Sequence, residues 1–438
     1  MSLVTRARQV VSEKLLGNAR ASSYALVGQF AMAISGLMNF LLLARLLGPG
    51  TYGVVAGSLG LVLTVGPIAA LGSDKLATRD IAADPGSAPI AFTHALITVI
   101  LGSSVTAVAL TLLHPVILPQ VPLALLLALV LAEVLASGVM ICTAASRFAL
   151  GHGRAGGLTM VAISSAKIAA VVTFAVTDGD DPVRWASLYA GFGLVAAVLC
   201  ATLLYGKVGH PVVRGYRPLA RAREGVPYSL NITATVAQND VDKTLLVRSG
   251  FSEEAGLYSV AYRLATMAWL PILAVLQATM PRFFSIGNEG GLIATSSFAR
   301  QLMRPLAAYG VFATIVLALV APLIPVLVGE EYRGSVTYLL LLAPLALFKV
   351  GQYVPSDALT GAGYQPVRTV CIVTSMSLNL VLGLVFIPVY GVAAALAATF
   401  LAELTYLVLI RIAVRRRVAR ERAAVRADDT LPTTGDAR

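Results

Sequence analysis

Charge is what this sequence has least of. Asp, Glu, Lys and Arg make up 13% of its 438 residues, about half the share usual in a soluble domain, and the mean hydropathy is +0.81. A chain this poor in charge cannot clothe a water-facing surface, which excludes a soluble enzyme or binding module and leaves a polytopic membrane protein. Cysteine is scarce too: Cys142, Cys200 and Cys371 each sit inside an apolar stretch, where a thiol behaves as a small hydrophobe and implies neither disulfide nor redox pair. His94, His114, His152 and His210 have no ligand spacing and no serine or carboxylate constellation around them. No metal, cofactor or catalytic residue is therefore expected. No G-x-x-x-x-G-K-[ST] loop occurs, so any energy has to come from an ion or substrate gradient. The string GHGRAG at 151–156 matches the dinucleotide fingerprint in letters alone, because a membrane helix precedes it instead of a strand. Arg6, Arg8, Lys14 and Arg20 come before the first apolar run without a cleavable leader pattern, so no removable signal peptide is expected. The net charge of +11 is dispersed over short loops, which argues against nucleic acid.

What is abundant is apolar sequence in lengths of about 20 residues, enough to cross about 30 Å of hydrocarbon. Twelve such runs are read, near 22–45, 52–72, 91–113, 121–145, 157–177, 184–205, 227–249, 256–280, 305–328, 336–360, 367–388 and 391–412. The expected fold class is all-α, with about 12 transmembrane helices in two six-helix lobes. Placing the N-terminus inside assigns 25 Lys and Arg to the inner loops and only Arg45, Arg184, Arg248 and Arg333 to the outer ones. That bias predicts that both termini are cytoplasmic. A basic connection at 206–224 divides the chain, giving a basic N-terminal segment 1–21, lobes 22–205 and 225–414, and a tail 415–438 that is basic and then disordered. The tail's basic part is expected on anionic lipid. ARLLGPGTYG around Arg45 recurs as VRSGFSEEAGLYS around Arg248, and Gly151 with Gly153 matches Gly361 with Gly363. The two halves thus read as parallel repeats.

The seventh run, Pro227 to Gly250, carries the densest polar content. Tyr228, Asn231, Thr235, Gln238 and Asp242 recur at helical spacing along one face, with Leu230, Ala234, Ala237, Val241 and Leu245 opposite. Asn239 and Lys243 flank the stripe, and Asp240 lies three residues before Lys243, within reach of it. Charge in a membrane helix marks a pathway or a pair by default. Asn39 with Ser35 and Gly28 on the first helix, and Tyr258, Tyr262, Thr266 and Trp269 beside Arg263 on the eighth, are expected to share a cavity of amides, hydroxyls and aromatic faces with the seventh. Glu133, Lys167, Lys349, Asp357 and Glu403 are further intramembrane charges. Glu133, Glu403, Asp240 and Asp242 are candidates for ion coupling: two acids beside one base leave one carboxylate over, and that role is assigned to Asp242, with Asp240 neutralising Lys243.

LLLARLLGPGTYG (41–53), NDVDKTLLVRSGFSEEAGLYSVAYRLA (239–265) and the stretch from LTGAGYQPVRTV to ATFLAE (359–403) resemble Wzx-type polysaccharide and oligosaccharide flippases, within the multidrug/oligosaccharidyl-lipid/polysaccharide (MOP) exporter superfamily. The resemblance implies alternating access in a bacterial plasma membrane and an undecaprenyl-diphosphate-linked oligosaccharide as cargo for cell-surface polysaccharide. It also implies glycosyltransferases and a polysaccharide polymerase as neighbours, and Arg45, Lys243, Arg248 and Arg263 as cationic positions on the substrate path. Arg outnumbers Lys 27 to 6, which fits a GC-rich bacterial genome. Asp240 and Asp242 beside Lys243 depart from a purely cationic cavity. Two other readings stand beside it, an ion-coupled multidrug exporter of the same superfamily and a membrane scaffold for glycan assembly.

Overall fold

Glycine breaks turn a few very long apolar helical runs into separate membrane crossings. The computed structural model describes residues 3–177 and 179–429, with side chains for 27–177 and 179–423. The side chains of Arg6, Arg8, Lys14 and Arg20, and the end of the tail from residue 430, to which the reading above assigns roles, lie outside the described residues. Eight helical stretches among the described residues are long and apolar enough to span a bilayer. Three of them are broken by glycines, at Gly48, at Gly290 with Gly291, and at Gly391. Gly48, Gly291 and Gly391 have φ of 68°, 59° and 55°, a left-handed backbone that a side chain disfavours.

Counting each broken stretch twice gives eleven apolar helices among the described residues, and the polar helix Pro218–Arg248, less apolar than the rest, makes twelve. These are α1 (27–47), α2 (49–70), α3 (Ala88–Ile117), α4 (Leu123–Ala149), α5 (Gly153–Val176), α6 (Pro182–Val208), α7 (Pro218–Arg248), α8 (252–289), α9 (292–320), α10 (Gly334–Gly361), α11 (365–390) and α12 (392–429). No strand occurs among the described residues. The chain is a polytopic all-α membrane protein. Val105, Leu112, Val195 and Leu319 are each at least two-thirds exposed, as lipid-facing side chains are when the apolar solvent is a bilayer.

Three local features depart from uniform helix. The 206–224 connection is shorter than its sequence span, because α6 runs to Val208 and α7 begins at Pro218, with proline placed in the first turn where its missing N–H costs nothing. The basic run from Arg415 continues α12 as helix to Asp429. Within α4, Val130–Ala136 forms a π turn.

Close contacts divide the chain into two units, one ending at Gly256 and the other beginning at Leu257. The first holds α1–α7. There α7 lies against α2 through two glycines three apart: a Cβ on Gly57 would come 2.5 Å from Val247 Cγ2, and on Gly60 2.5 Å from Asp240 O, while one on Gly53 would come 1.7 Å from Ser252 O at the start of α8. This is small-residue packing, which lets two backbones meet where lipid offers no hydrophobic driving force. Thr244 Oγ1 crosses the contact and donates to Gly57 O at 2.7 Å. The second unit has its own core, with Tyr258, Tyr262, Tyr332 and Tyr406 among its most buried side chains.

Candidate functional site

The first unit holds a half-open cavity of about 340 Å³ whose wall combines apolar side chains of α1, α2, α4, α5 and α7 with Asp74, Glu133, Lys167 and Asp240. Each charge reaches the wall for a local reason. Glu133 stands in the π turn of α4, where Ser137 N–H reaches back to Ala132 O and Ser137 Oγ donates to the same carbonyl at 3.0 Å. The additional residue in that turn sets Glu133 on one wall with Val134, Ser137, Gly138 and Ile141, and π turns often mark functional positions. Lys167 Nζ donates to Glu133 Oε1 at 3.0 Å, and Tyr189 Oη donates to the same oxygen at 2.8 Å. The ammonium also lies 5.4 Å from the centroid of the Tyr189 ring, a geometry the ring quadrupole favours. Asp74 opens the short helix Ser73–Ala83, after a break at which Leu71 and Gly72 have φ of 47° and 59°.

Asp240 comes from α7. Lys243 Nζ lies 2.7 Å from Asp240 Oδ1 and 3.7 Å from Asp242 Oδ1, and it donates to Asn239 O as well. The Asp242 carboxylate is 1% exposed and accepts the Lys243 backbone N–H at 2.8 Å. Asp240 therefore stands on the cavity wall with its lysine behind it, whereas Asp242 is turned into the helix packing. Asn231 and Thr235 are half-buried on α7, where Thr235 Oγ1 donates to Asn231 O at 2.9 Å, and Gln238 is buried. Asn39 is half-buried on α1, and Arg45 and Arg248 are exposed at the ends of α1 and α7. None of these lines the cavity.

In the second unit, Arg263 is exposed. Tyr262 is 2% exposed and lies between Tyr258, tilted against it, and Trp269, edge-on to it, with ring centroids 5.7 and 6.2 Å away. Glu403 is fully buried: Lys349 Nζ lies 2.6 Å from Oε1, and Gln352 Nε2 donates to Oε2 and to the backbone O, both at 2.7 Å. Lys349 Nζ also lies 5.4 Å from the Trp269 ring. Each unit thus holds a Lys–Glu pair between different helices, sealed in the second and partly exposed in the first, and of the two only the pair of the first unit borders a cavity among those described.

Sequence reasoning missed Asp74, Tyr189 and the π turn. Asp74 follows Leu71–Gly72–Ser73 at the end of an apolar run and reads as a loop acid. Glu133 and Lys167 are 34 residues apart, so no helical spacing joins them.

Residues 19–287 match the sequence model of the family described as "Polysaccharide biosynthesis protein". The chain belongs to that family. No curated protein sequence matches it. Among solved structures, this family member is similar to an inward-facing multidrug resistance MATE family transporter of the MOP superfamily, with 16% identity, 91% of this chain and 95% of the other covered, and a TM-score of 0.64. The MATE multidrug transporter DinF-BH in complex with R6G matches with 14% identity, 91% and 94% coverage, and a TM-score of 0.64. A MOP superfamily transporter from Pyrococcus furiosus, reported with a binding pocket of reversed polarity, matches with 16% identity, 92% and 95% coverage, and a TM-score of 0.57. The fold of this polysaccharide biosynthesis protein is that of the MOP transporters.

Breaking a fully buried pair costs about 3–5 kcal/mol, and removing both members is far cheaper; the Lys167–Glu133 pair, partly exposed and with Tyr189 still on Glu133, should follow the same order at smaller cost. Lys167→Met should therefore lower the melting temperature of the purified protein, and Lys167→Met with Glu133→Gln should recover most of the loss. Equal melting temperatures for the single and double variants would show that the pair carries no coupling.

Proposed function

We propose that this polysaccharide biosynthesis protein is a flippase that moves an undecaprenyl-diphosphate-linked oligosaccharide across a bacterial plasma membrane by alternating access, driven by a cation. The observation that carries the reading is the charged cavity inside an otherwise apolar bundle. A bundle that only holds its helices together gains nothing from three carboxylates and one ammonium on one wall, since each charge costs free energy in hydrocarbon unless water or a partner reaches it. Lys167 holds Glu133 and Lys243 holds Asp240, so a cation that enters the cavity competes with an ammonium for each carboxylate. Binding and release of that cation then shift the two pairs between closed and open arrangements, the kind of two-state element through which a ligand biases a conformation. Glu403 serves as a fixed strut in this reading, because its pair with Lys349 is sealed among Gln352 and Trp269. Arg45 and Arg248, exposed at equivalent helix ends, attract the phosphate and acidic sugars of the cargo as they approach.

The surplus of carboxylate over ammonium on the cavity wall also favours a second reading, an exporter of cationic drugs. Proteoliposomes containing the purified protein and a fluorescent polyprenyl-diphosphate oligosaccharide separate the two. Head groups should become accessible to an impermeant quencher far faster than in protein-free vesicles, and a cationic dye should not accumulate. Dye accumulation without movement of the glycan would establish the exporter, and movement of neither would leave a scaffold.

Orientation is the second part of the proposal, with both termini cytoplasmic, a reading that the distribution of basic residues supports. Cys142, Cys200 and Cys371 are buried, so single cysteines introduced elsewhere report cleanly. One placed in 179–184 should react with an impermeant thiol reagent on intact cells, and one in 210–217 should not. The opposite pattern would invert the topology.

A further inference from the structure

A second cavity, in the second unit, has a wall chemistry unlike that of the first. It is a groove of about 460 Å³ where α9, α10 and α12 converge, and its charged lining residues are Arg300 from α9 and Arg415 and Arg422 from α12. All three side chains are exposed at its rim. Arg415 and Arg422 are seven residues apart and so share a helix face. Among the described residues no carboxylate lines the groove. The acid nearest in sequence, Glu421, is occupied elsewhere: its Oε2 accepts Leu292 N–H at 2.9 Å and Ile293 N–H at 3.1 Å, and its Oε1 accepts Tyr364 Oη–H at 3.0 Å. These bonds cap the start of α9 just after the Gly290–Gly291 break and hold the basic end of α12 against it.

Deeper in the groove the lining is apolar, with Met303 and Val418, apart from one hydroxyl. Ser296 Oγ is buried and has no hydrogen-bond partner. A helical serine ordinarily satisfies itself on the carbonyl four residues back, but here Leu292 O receives Thr295 Oγ1 at 3.2 Å. A buried hydroxyl in this state has given up the hydrogen bonds that water would supply, which makes it a donor waiting for an acceptor.

Three guanidinium forks around one free hydroxyl match the oxygens of a phosphate, because arginine presents paired donors in fixed geometry and never loses its charge. Methionine and valine beneath them match hydrocarbon. A free phosphate has no use for that apolar floor, whereas a lipid phosphate places its first acyl carbons there. We propose that this groove binds the headgroup of an anionic phospholipid, its phosphate oxygens on Arg300, Arg415, Arg422 and Ser296 Oγ, and its acyl carbons on Met303 and Val418. Bound lipid ties α9 to α12 at the end where the basic tail leaves the bundle. The inference stands apart from the transport proposal, since it uses no residue of the first unit.

Native mass spectrometry and thermal unfolding of the detergent-purified full chain test it. Phosphatidylglycerol should bind and raise the melting temperature; phosphatidylcholine and free glycerol phosphate at the same concentration should do neither. Replacing Arg300, Arg415 and Arg422 together by Gln should weaken phosphatidylglycerol binding at least tenfold. The same loss of charge at Arg214, Arg217 and Arg223, which are exposed in the first unit, should leave it unchanged. Should the triple variant fail to fold, Arg422→Gln and Ser296→Ala each give a severalfold loss with the lipid-free melting temperature retained. Equal binding by wild type and groove variants, an equal loss in the Arg214, Arg217 and Arg223 control, or an equal response to glycerol phosphate would each overturn the proposal.

Discussion

Everything in this molecule follows from the cost of holding charge where water is scarce. An ammonium or carboxylate inside a helical bundle has to be paired, reached by water, or absent. In the first unit Glu133 has both Lys167 and Tyr189 on one oxygen, and Asp240 has Lys243. In the second, Glu403 has Lys349 and Gln352. The pairs differ in their surroundings: the Lys349 and Glu403 side chains are 3% and 0% exposed, the Lys167 and Glu133 side chains 24% and 12%. A sealed pair is a strut, and a pair on a cavity wall is open to competition from a cation.

Pairing across helices needs helices that come close, and the backbone supplies this through residues without side chains. Gly57 and Gly60 bring α2 against α7 near Asp240, which fixes the part of α7 that carries the charge. Gly102 does the same between α3 and α2, where a Cβ would come 1.9 Å from Ala69 O. The glycines that break the helices and those that join them act at different positions. Left-handed φ is needed at Gly48, Gly291 and Gly391, and closeness is needed at Gly53, Gly57 and Gly60.

Much of this was legible in the sequence, because apolar run length responds to bilayer thickness and glycine to turn geometry. The twelve runs and the turns at LGPG and GAGY appear in the structure as the helices and breaks described above. The Asp240–Lys243 contact was also legible, since three residues on a helix is a fixed distance. The site was less so. Glu133, Lys167 and Tyr189 meet only through the packing of α4, α5 and α6, and the π turn that accompanies Glu133 has no signature in a run as plain as VLAEVLA. The stripe on α7 reads as one polar face against one apolar face. In the structure Thr233, Ala234, Ala237, Gln238 and Asp242 are all buried, because α7 is packed on more than one side.

Cation coupling is proposed for the carboxylates of the cavity, and Asp240 is the one of them whose loss leaves its lysine another acid, Asp242, at 3.7 Å. The direct measurement is glycan translocation in proteoliposomes under imposed proton and sodium gradients, with wild type and Asp240→Asn compared at matched melting temperatures. Wild-type translocation should rise with one of the gradients, and Asp240→Asn should lose that dependence. Equal gradient dependence in the two proteins would contradict the account.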